Sequence, residues 1–122
     1  MADTNVFAVM TDLFFLVRIM DSAKAQGLTV KFLKDRETVL EKAKSNPALM
    51  IFDLNCAALD PIGLIQQIKA DPATKDIRIA GFVSHVNVDL KRRAEESGCD
   101  LVVARSAFAQ NLPEILTHFA VR

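Results

Sequence analysis

The chain has 122 residues, 51% hydrophobic and 25% charged, a balance that fits one globular domain over residues 1–122 and excludes a disordered segment. Fifteen Lys and Arg offset fifteen Asp and Glu, which argues against nucleic acid as a partner, because neutralising phosphates takes excess positive charge. No apolar run is long enough to span a membrane, and the start MADTNVF lacks the basic-then-apolar pattern of a signal peptide.

VFAVM (6–10) predicts a short buried strand. DLFFLVRIMDSAKAQG (12–27) predicts a helix stopped by Gly27, with Leu16, Ile19, Met20 and Ala23 on its inner face. Leu13 and Phe14 cannot turn inward together with Phe15, so an apolar rim of the kind that marks a partner surface is expected there. LTVKFL (28–33) alternates, as suits an edge strand with one wet face. DRETVLEKAKSN (35–46) predicts an amphipathic helix with Val39, Leu40 and Ala43 inward, closed by Pro47. ALMIF (48–52) has no alternation, which predicts a central strand covered on both faces.

DPIGLIQQIKAD (60–71) opens with Asp60 as N-cap and Pro61 at the first helical position, and buries Ile62, Ile65 and Ile68. IRIAGFV (77–83) is the next strand. NVDLKRRAEES (87–97) is a charged helix ended by Gly98, with Lys91–Glu95 and Arg92–Glu96 at pairing distance along it. LVVA (101–104) is the last strand. NLPEILTHFAV (111–121) is the last helix, with Asn111 and Glu114 at capping-box spacing.

Strand and helix thus alternate five times. Short links between parallel strands require right-handed crossovers and helices on both sheet faces, which gives a three-layer doubly wound α/β domain. In such sheets the functional crevice lies beyond the carboxyl ends of the strands. Those ends carry Thr11-Asp12, Asp53, Ser84 and Ala104-Arg105. Each has a plainer reading: Asp53 starts a loop, Asp12 caps a helix, Ser84 ends a strand, Arg105 is a solvated surface charge. Cys56 and Cys99 read as reduced thiols of a cytoplasmic protein, too few with His85 and His118 for a Cys/His metal site. MTDLFF is bulky where a phosphate cradle needs glycine, and no nucleophile elbow is present, so an enzyme or flavin protein on this fold is disfavoured.

Four stretches carry a family likeness: IFDLN with Asp53 ending the third strand, LDPIGLIQQIKAD, GFVSH with Ser84, and SGCDLVVARSAF. With them the chain resembles, over essentially its whole length, the receiver domain of bacterial response regulators, the CheY-like family. The resemblance implies a flavodoxin-like strand order 2-1-3-4-5. It makes Asp53 the candidate phosphoacceptor for a histidine kinase and Ser84 a phosphoryl contact. It assigns Mg²⁺ to Asp12, Asp53 and the carbonyl of Asn55, with Thr11 where the family has a second acid.

The departures from the family are specific. Thr11 supplies no charge. Ala104 or Ser106, depending on the count, stands where receivers have a Lys that pairs with the phosphoryl. Arg105 is the remaining candidate for that contact, if the loop bulges by one residue, and its planar fork does not replace a Lys point charge. Leu101 replaces the usual aromatic residue of the fifth strand and is expected to be fixed core. His85 follows Ser84 where receivers carry a small residue, which makes it a candidate access gate, or else a loop histidine.

Mg²⁺ is therefore expected to bind weakly, and no other cofactor is implied. The leading expectation is an atypical receiver (a pseudo-receiver), not an enzyme. It would signal through protein–protein interaction, with Mg²⁺-dependent phosphorylation lost or weakened. The alternative is a working phosphoacceptor of a two-component phosphorelay that uses Asp53. The partners implied are a histidine kinase, a downstream effector, or a second copy docked on the helix 4–strand 5–helix 5 face; nucleic acid and membrane are not among them.

Overall fold

In the computed structural model, which describes residues 6–84 and 87–120, five strands run parallel. They are β1 (Val6–Val9), β2 (Val30–Leu33), β3 (Leu49–Asp53), β4 (Arg78–Val83) and β5 (Leu101–Ala104), in the order β2-β1-β3-β4-β5. The register sets Val6 beside Val30 and Leu49, Asp53 beside Phe82, and Val83 beside Ala104. This is the strand order that the family resemblance implies, in the doubly wound domain expected from the strand–helix alternation.

Period-two alternation along the central strands sorts the core into two layers. Val6, Ala8, Met10, Leu49, Ile51 and Phe82 pack against α1 (Leu13–Ala25), α5 (Arg105–Gln110) and α6 (Leu112–Ala120). Phe7, Val9, Met50, Phe52, Ile79 and Val83 pack against α2 (Arg36–Ala43), α3 (Pro61–Ala70) and α4 (Val88–Ser97). Because β1, β3 and β4 are covered on both faces, their sequences read as unbroken apolar runs. Gly81 lets β3 and β4 share one layer with the chain that leaves Asp53. A Cβ there would come within 2.8 Å of the Leu54 side chain.

The caps act as their residue types require. Asp12, Asp35, Asp60 and Asn87 each accept a backbone N–H from the first turn of α1 to α4. Gly98 closes α4 at φ 117°, a conformation costly for any residue with a Cβ. Thr74 is buried, and its hydroxyl donates to the Ile68 carbonyl at 2.7 Å, satisfying a group at the end of α3.

Several expectations are corrected. Met20 is 45% exposed: Phe15, Leu16, Ile19 and Ala23 take the inner face of α1, which turns Met20 outward. Leu40 and Leu101 do pack against the core layers as expected, but are only half-buried there. On α4, Arg92 pairs with Asp89 at 2.7 Å rather than with Glu96, and Lys91 does not pair with Glu95. The i,i+3 partner sits nearer the helix N-terminus, where an acid is also favoured by the helix dipole.

Residues 105–110, expected as loop, form α5. Asn111 accordingly stands between two helices: it is the C-cap of α5, and its carbonyl accepts the Ile115 N–H at 2.9 Å, which opens the last helix. Its side-chain amide donates back to the Ala107 carbonyl at 3.0 Å, finishing α5, and α6 follows at once. The break falls there because Pro113 has no N–H to continue the ladder to Ala109. A 3₁₀ turn at Ala57–Leu59, also unforeseen, carries the chain from β3 to α3.

Candidate functional site at the carboxyl edge of the sheet

Asp12 follows β1 and performs two tasks. Its Oδ1 accepts the Phe15 N–H at 3.1 Å, which caps α1, and its Oδ2 accepts a hydrogen bond from Nη2 of Arg105. Arg105 gets there because α5 starts at that residue. The chain turns into helix immediately after β5, so no bulge is needed to bring the guanidinium to the site. The guanidinium carbon lies 4.6 Å from the centre of the Phe15 ring, a cation–π distance. The guanidinium thus has an acid as one partner and an aromatic face as another. The Arg105 hydrogen bond, helped by the Phe15 N–H, holds the Asp12 carboxyl below the ordinary carboxylate range.

Asp53 ends β3 half-buried, and its Oδ1 accepts the Asn55 N–H at 3.0 Å. Burial pushes its carboxyl above the ordinary range. The Asn55 N–H and the charge of Arg105 oppose that rise, and the charge of Asp12 adds to it. Asn55 ties two strand ends together: its side-chain oxygen accepts the Ser84 N–H at 2.7 Å. Its carbonyl, the expected metal ligand, accepts the Ala57 N–H at 2.9 Å. Ser84 is exposed at the end of β4. The Thr11 hydroxyl lies 3.8 Å from the Cys56 sulfur. Ala104 precedes α5 without a side-chain cap, and Ser106 lies within the first turn of α5. His85 lies outside the described residues.

The structure therefore joins Asp12 to Arg105 directly, sets Asp53 within electrostatic reach of both, and links Asn55 to Asp53 and Ser84. Thr11 contacts Cys56 instead. Sequence reasoning missed Phe15 as the surface under Arg105. Phe15 stands three residues after the capping acid, so it was bound to lie close to Asp12, yet nothing local linked it to a residue in the last strand–helix junction.

Two grooves flank this edge. One, of about 400 Å³, runs between α1 and α5 and is lined by Phe14, Phe15, Arg18, Ser84, Arg105 and Ser106. Leu13 and Phe14 are 60% and 90% exposed beside it, which gives the apolar rim expected from the sequence. The other, of about 380 Å³, is almost wholly apolar and lies between α4, β5 and α5, with Val88, Lys91, Val103 and Ala107 in its walls.

The donor set as placed does not fit Mg²⁺. That ion takes hard oxygens in near-octahedral geometry, commonly one or two carboxylates plus waters. Here Asp12 gives one oxygen to a backbone N–H and the other to a guanidinium whose positive charge repels a second cation. Thr11 brings no charge, and among the described residues no three His, Cys, Asp or Glu side chains are grouped to hold a metal.

No protein-family model matches the sequence, and no curated protein matches it either. Solved structures do match. The chain is similar to the phosphorylated cyanobacterial phytochrome response regulator RcpA, with TM-score 0.84, 18% identity, and coverage of 98% of this chain and 96% of that one. It is similar to a response regulator from Hahella chejuensis, with TM-score 0.86, 14% identity and the same coverages. The Mn²⁺-bound form of response regulator Rcp1 follows at TM-score 0.83 and 14% identity, again over 98% and 96%. The chain thus has the three-layer (βα)₅ fold of the response-regulator receiver domain, with Asp53 at the end of its third strand.

Proposed function

We propose that the protein is a cytoplasmic signalling module of the receiver type that acts through protein–protein contact, with Mg²⁺-dependent phosphorylation of Asp53 lost or weakened. It is not an enzyme in this reading. One observation carries it: Asp12, the acid that would share a metal with Asp53, is bonded to Arg105. Phosphoryl transfer depends on neutralising donor and acceptor charge while they are held in line, and in this fold that task falls to a metal. A guanidinium paired with Asp12 supports neither metal entry nor a free cation for the product.

The apolar groove between α4, β5 and α5 supports that face as the docking surface for an effector or a second copy. Val88, 75% exposed at its edge, is an apolar anchor for such a partner. No helix among the described residues is long and apolar enough to cross a membrane.

Incubation with Mg²⁺ and a small phosphodonor, followed by intact-mass measurement, tests the reading. The expected result is no phosphoryl adduct. A stoichiometric adduct that disappears in Asp53→Asn would overturn it and establish the second reading, a working phosphoacceptor. That alternative rests on the retained Asp53 and on the likeness to RcpA in its phosphorylated form.

A further inference from the structure

Among the described residues five large apolar side chains are exposed, and four of them stand on α1: Leu13, Phe14, Val17 and Met20. The inner face of that helix is already used, since Phe15, Leu16, Ile19 and Ala23 are buried in the core layer beneath it. The outer face therefore carries apolar surface that the chain's own fold does not cover. Its spacing is ordered. Leu13, Val17, Met20 and the exposed Lys24 follow one another at intervals of four, three and four, the spacing of a seam between two paired helices. Because α1 is anchored on its inner face, it needs no partner to hold its helical form and presents the seam ready-made.

We propose that this face of α1 is the contact through which two copies of the chain pair, their α1 helices antiparallel about a two-fold axis level with the midpoint between Arg18 and Ile19. In that register Val17 packs on Met20 of the second copy, and Leu13 on the methylene stem of its Lys24, each contact being made twice by symmetry. Charge selects both the partner and the direction. Arg18 and Asp21 lie on one flank of the seam, both exposed, and neither is in a salt bridge among the described residues. A two-fold of this kind sets like flanks opposite each other, so Arg18 of each copy comes within reach of Asp21 of the other. A parallel pair would instead stack Lys24 on Lys24 and Arg18 on Arg18. The whole chain has fifteen basic and fifteen acidic residues, so two copies do not repel at long range. The four apolar side chains expose on the order of 500 Å² per copy, so pairing hides roughly 1,000 Å² in all, the lower limit of a specific interface, which makes the dimer a weak and reversible one. No residue of α1 lines the groove between α4, β5 and α5, so the pairing leaves that groove to an effector.

The inference goes beyond the functional reading above and is tested without metal, phosphodonor or effector, so the two fail separately. Sedimentation of the full chain is followed from micromolar to millimolar concentration. The wild type should pass reversibly from monomer to dimer across that range. Val17→Asp and Met20→Glu change exposed positions, so both should keep the fold by circular dichroism. Each should weaken pairing at least about tenfold, because it sets an unpaired charge in the closed seam. Arg18→Asp and Asp21→Arg should each weaken pairing about fivefold. The double exchange Arg18→Asp with Asp21→Arg should return it to the wild-type level, because both flank pairs are rebuilt with their signs reversed. A chain that stays monomeric at millimolar concentration would overturn the proposal. So would a dimer that survives both Val17→Asp and Met20→Glu, which would place pairing on another face. A double exchange that pairs no better than the single ones would overturn the antiparallel register.

Discussion

Asp53 is a carboxylate that the fold makes less acidic. Burial outweighs both the Asn55 N–H and the charge of Arg105. The folded chain therefore holds the Asp53 proton more tightly than the unfolded chain does. Stability falls as pH rises from the ordinary value of 3.8 through the raised folded value, and the loss is complete above it. Asp53→Asn keeps an oxygen for the Asn55 N–H and removes that penalty. It should melt higher than wild type at neutral pH, with the difference vanishing below the ordinary carboxylate range; a lower melting point at neutrality would contradict this. Cys99 offers a second check at this scale. Burial pushes its thiol up to about 12, so it is almost entirely protonated at neutral pH. Alkylation of native protein, mapped by peptide mass, should leave Cys99 unmodified until the chain unfolds. Burial of this kind was only partly visible in the sequence: IFDLN placed Asp53 at a strand end, but how far its carboxyl is withdrawn from water depends on neighbours from β4 and from the loop at Asn55.

At the scale of elements, the start of α1 and the start of α5 are coupled through Asp12. Asp12→Ala removes both the cap and the ion pair. It should cost about 1 kcal/mol for the cap and up to about 1 kcal/mol for a partly exposed pair. Asp12→Asn retains a capping oxygen and loses only the pair, so urea denaturation should show roughly half the loss. Equal losses would mean that the cap bond contributes nothing. Beneath this junction Phe15 of α1, Phe82 of β4 and Phe108 of α5 form a cluster with ring centres 4.8, 5.2 and 6.0 Å apart. Phe82→Ala should cost about 3–5 kcal/mol, a large share of a small domain's stability, and should loosen the Arg105–Asp12 pair along with the core. The short α5 escaped the sequence reading although RSAFAQ has no glycine, proline or asparagine and is made of acceptable helix formers. Six residues are too few to show a period, and Phe108 alone marks its buried side.

Across the whole molecule, stability concentrates in the strands that are paired on both edges and covered on both faces. Amide exchange should be slowest in β1, β3 and β4 and faster in the edge strand β2, where Val30 and Phe32 are only half-buried. Faster exchange in β3 than in β2 would contradict this layering. That architecture was legible from the chain because its causes are local. Apolar runs without alternation mark doubly covered strands, Asp12, Asp35, Asp60 and Asn87 mark helix starts, and the handedness of parallel crossovers leaves few ways to assemble them. The same logic carried Asp12, Asp53, Ser84 and Arg105 to one edge of the sheet. What each of them does there was not local. Asp12 and Arg105 are 93 residues apart, and their bond exists because α5 begins without a loop and Phe15, set on Phe82, supports the guanidinium. The sequence by itself determined the layers and the edge where the charged residues meet, since periodicity and capping act between near neighbours. Only the tertiary structure decided that the acid following β1 is bonded to a cation of the protein's own, since that contact is closed by packing between elements from opposite ends of the chain.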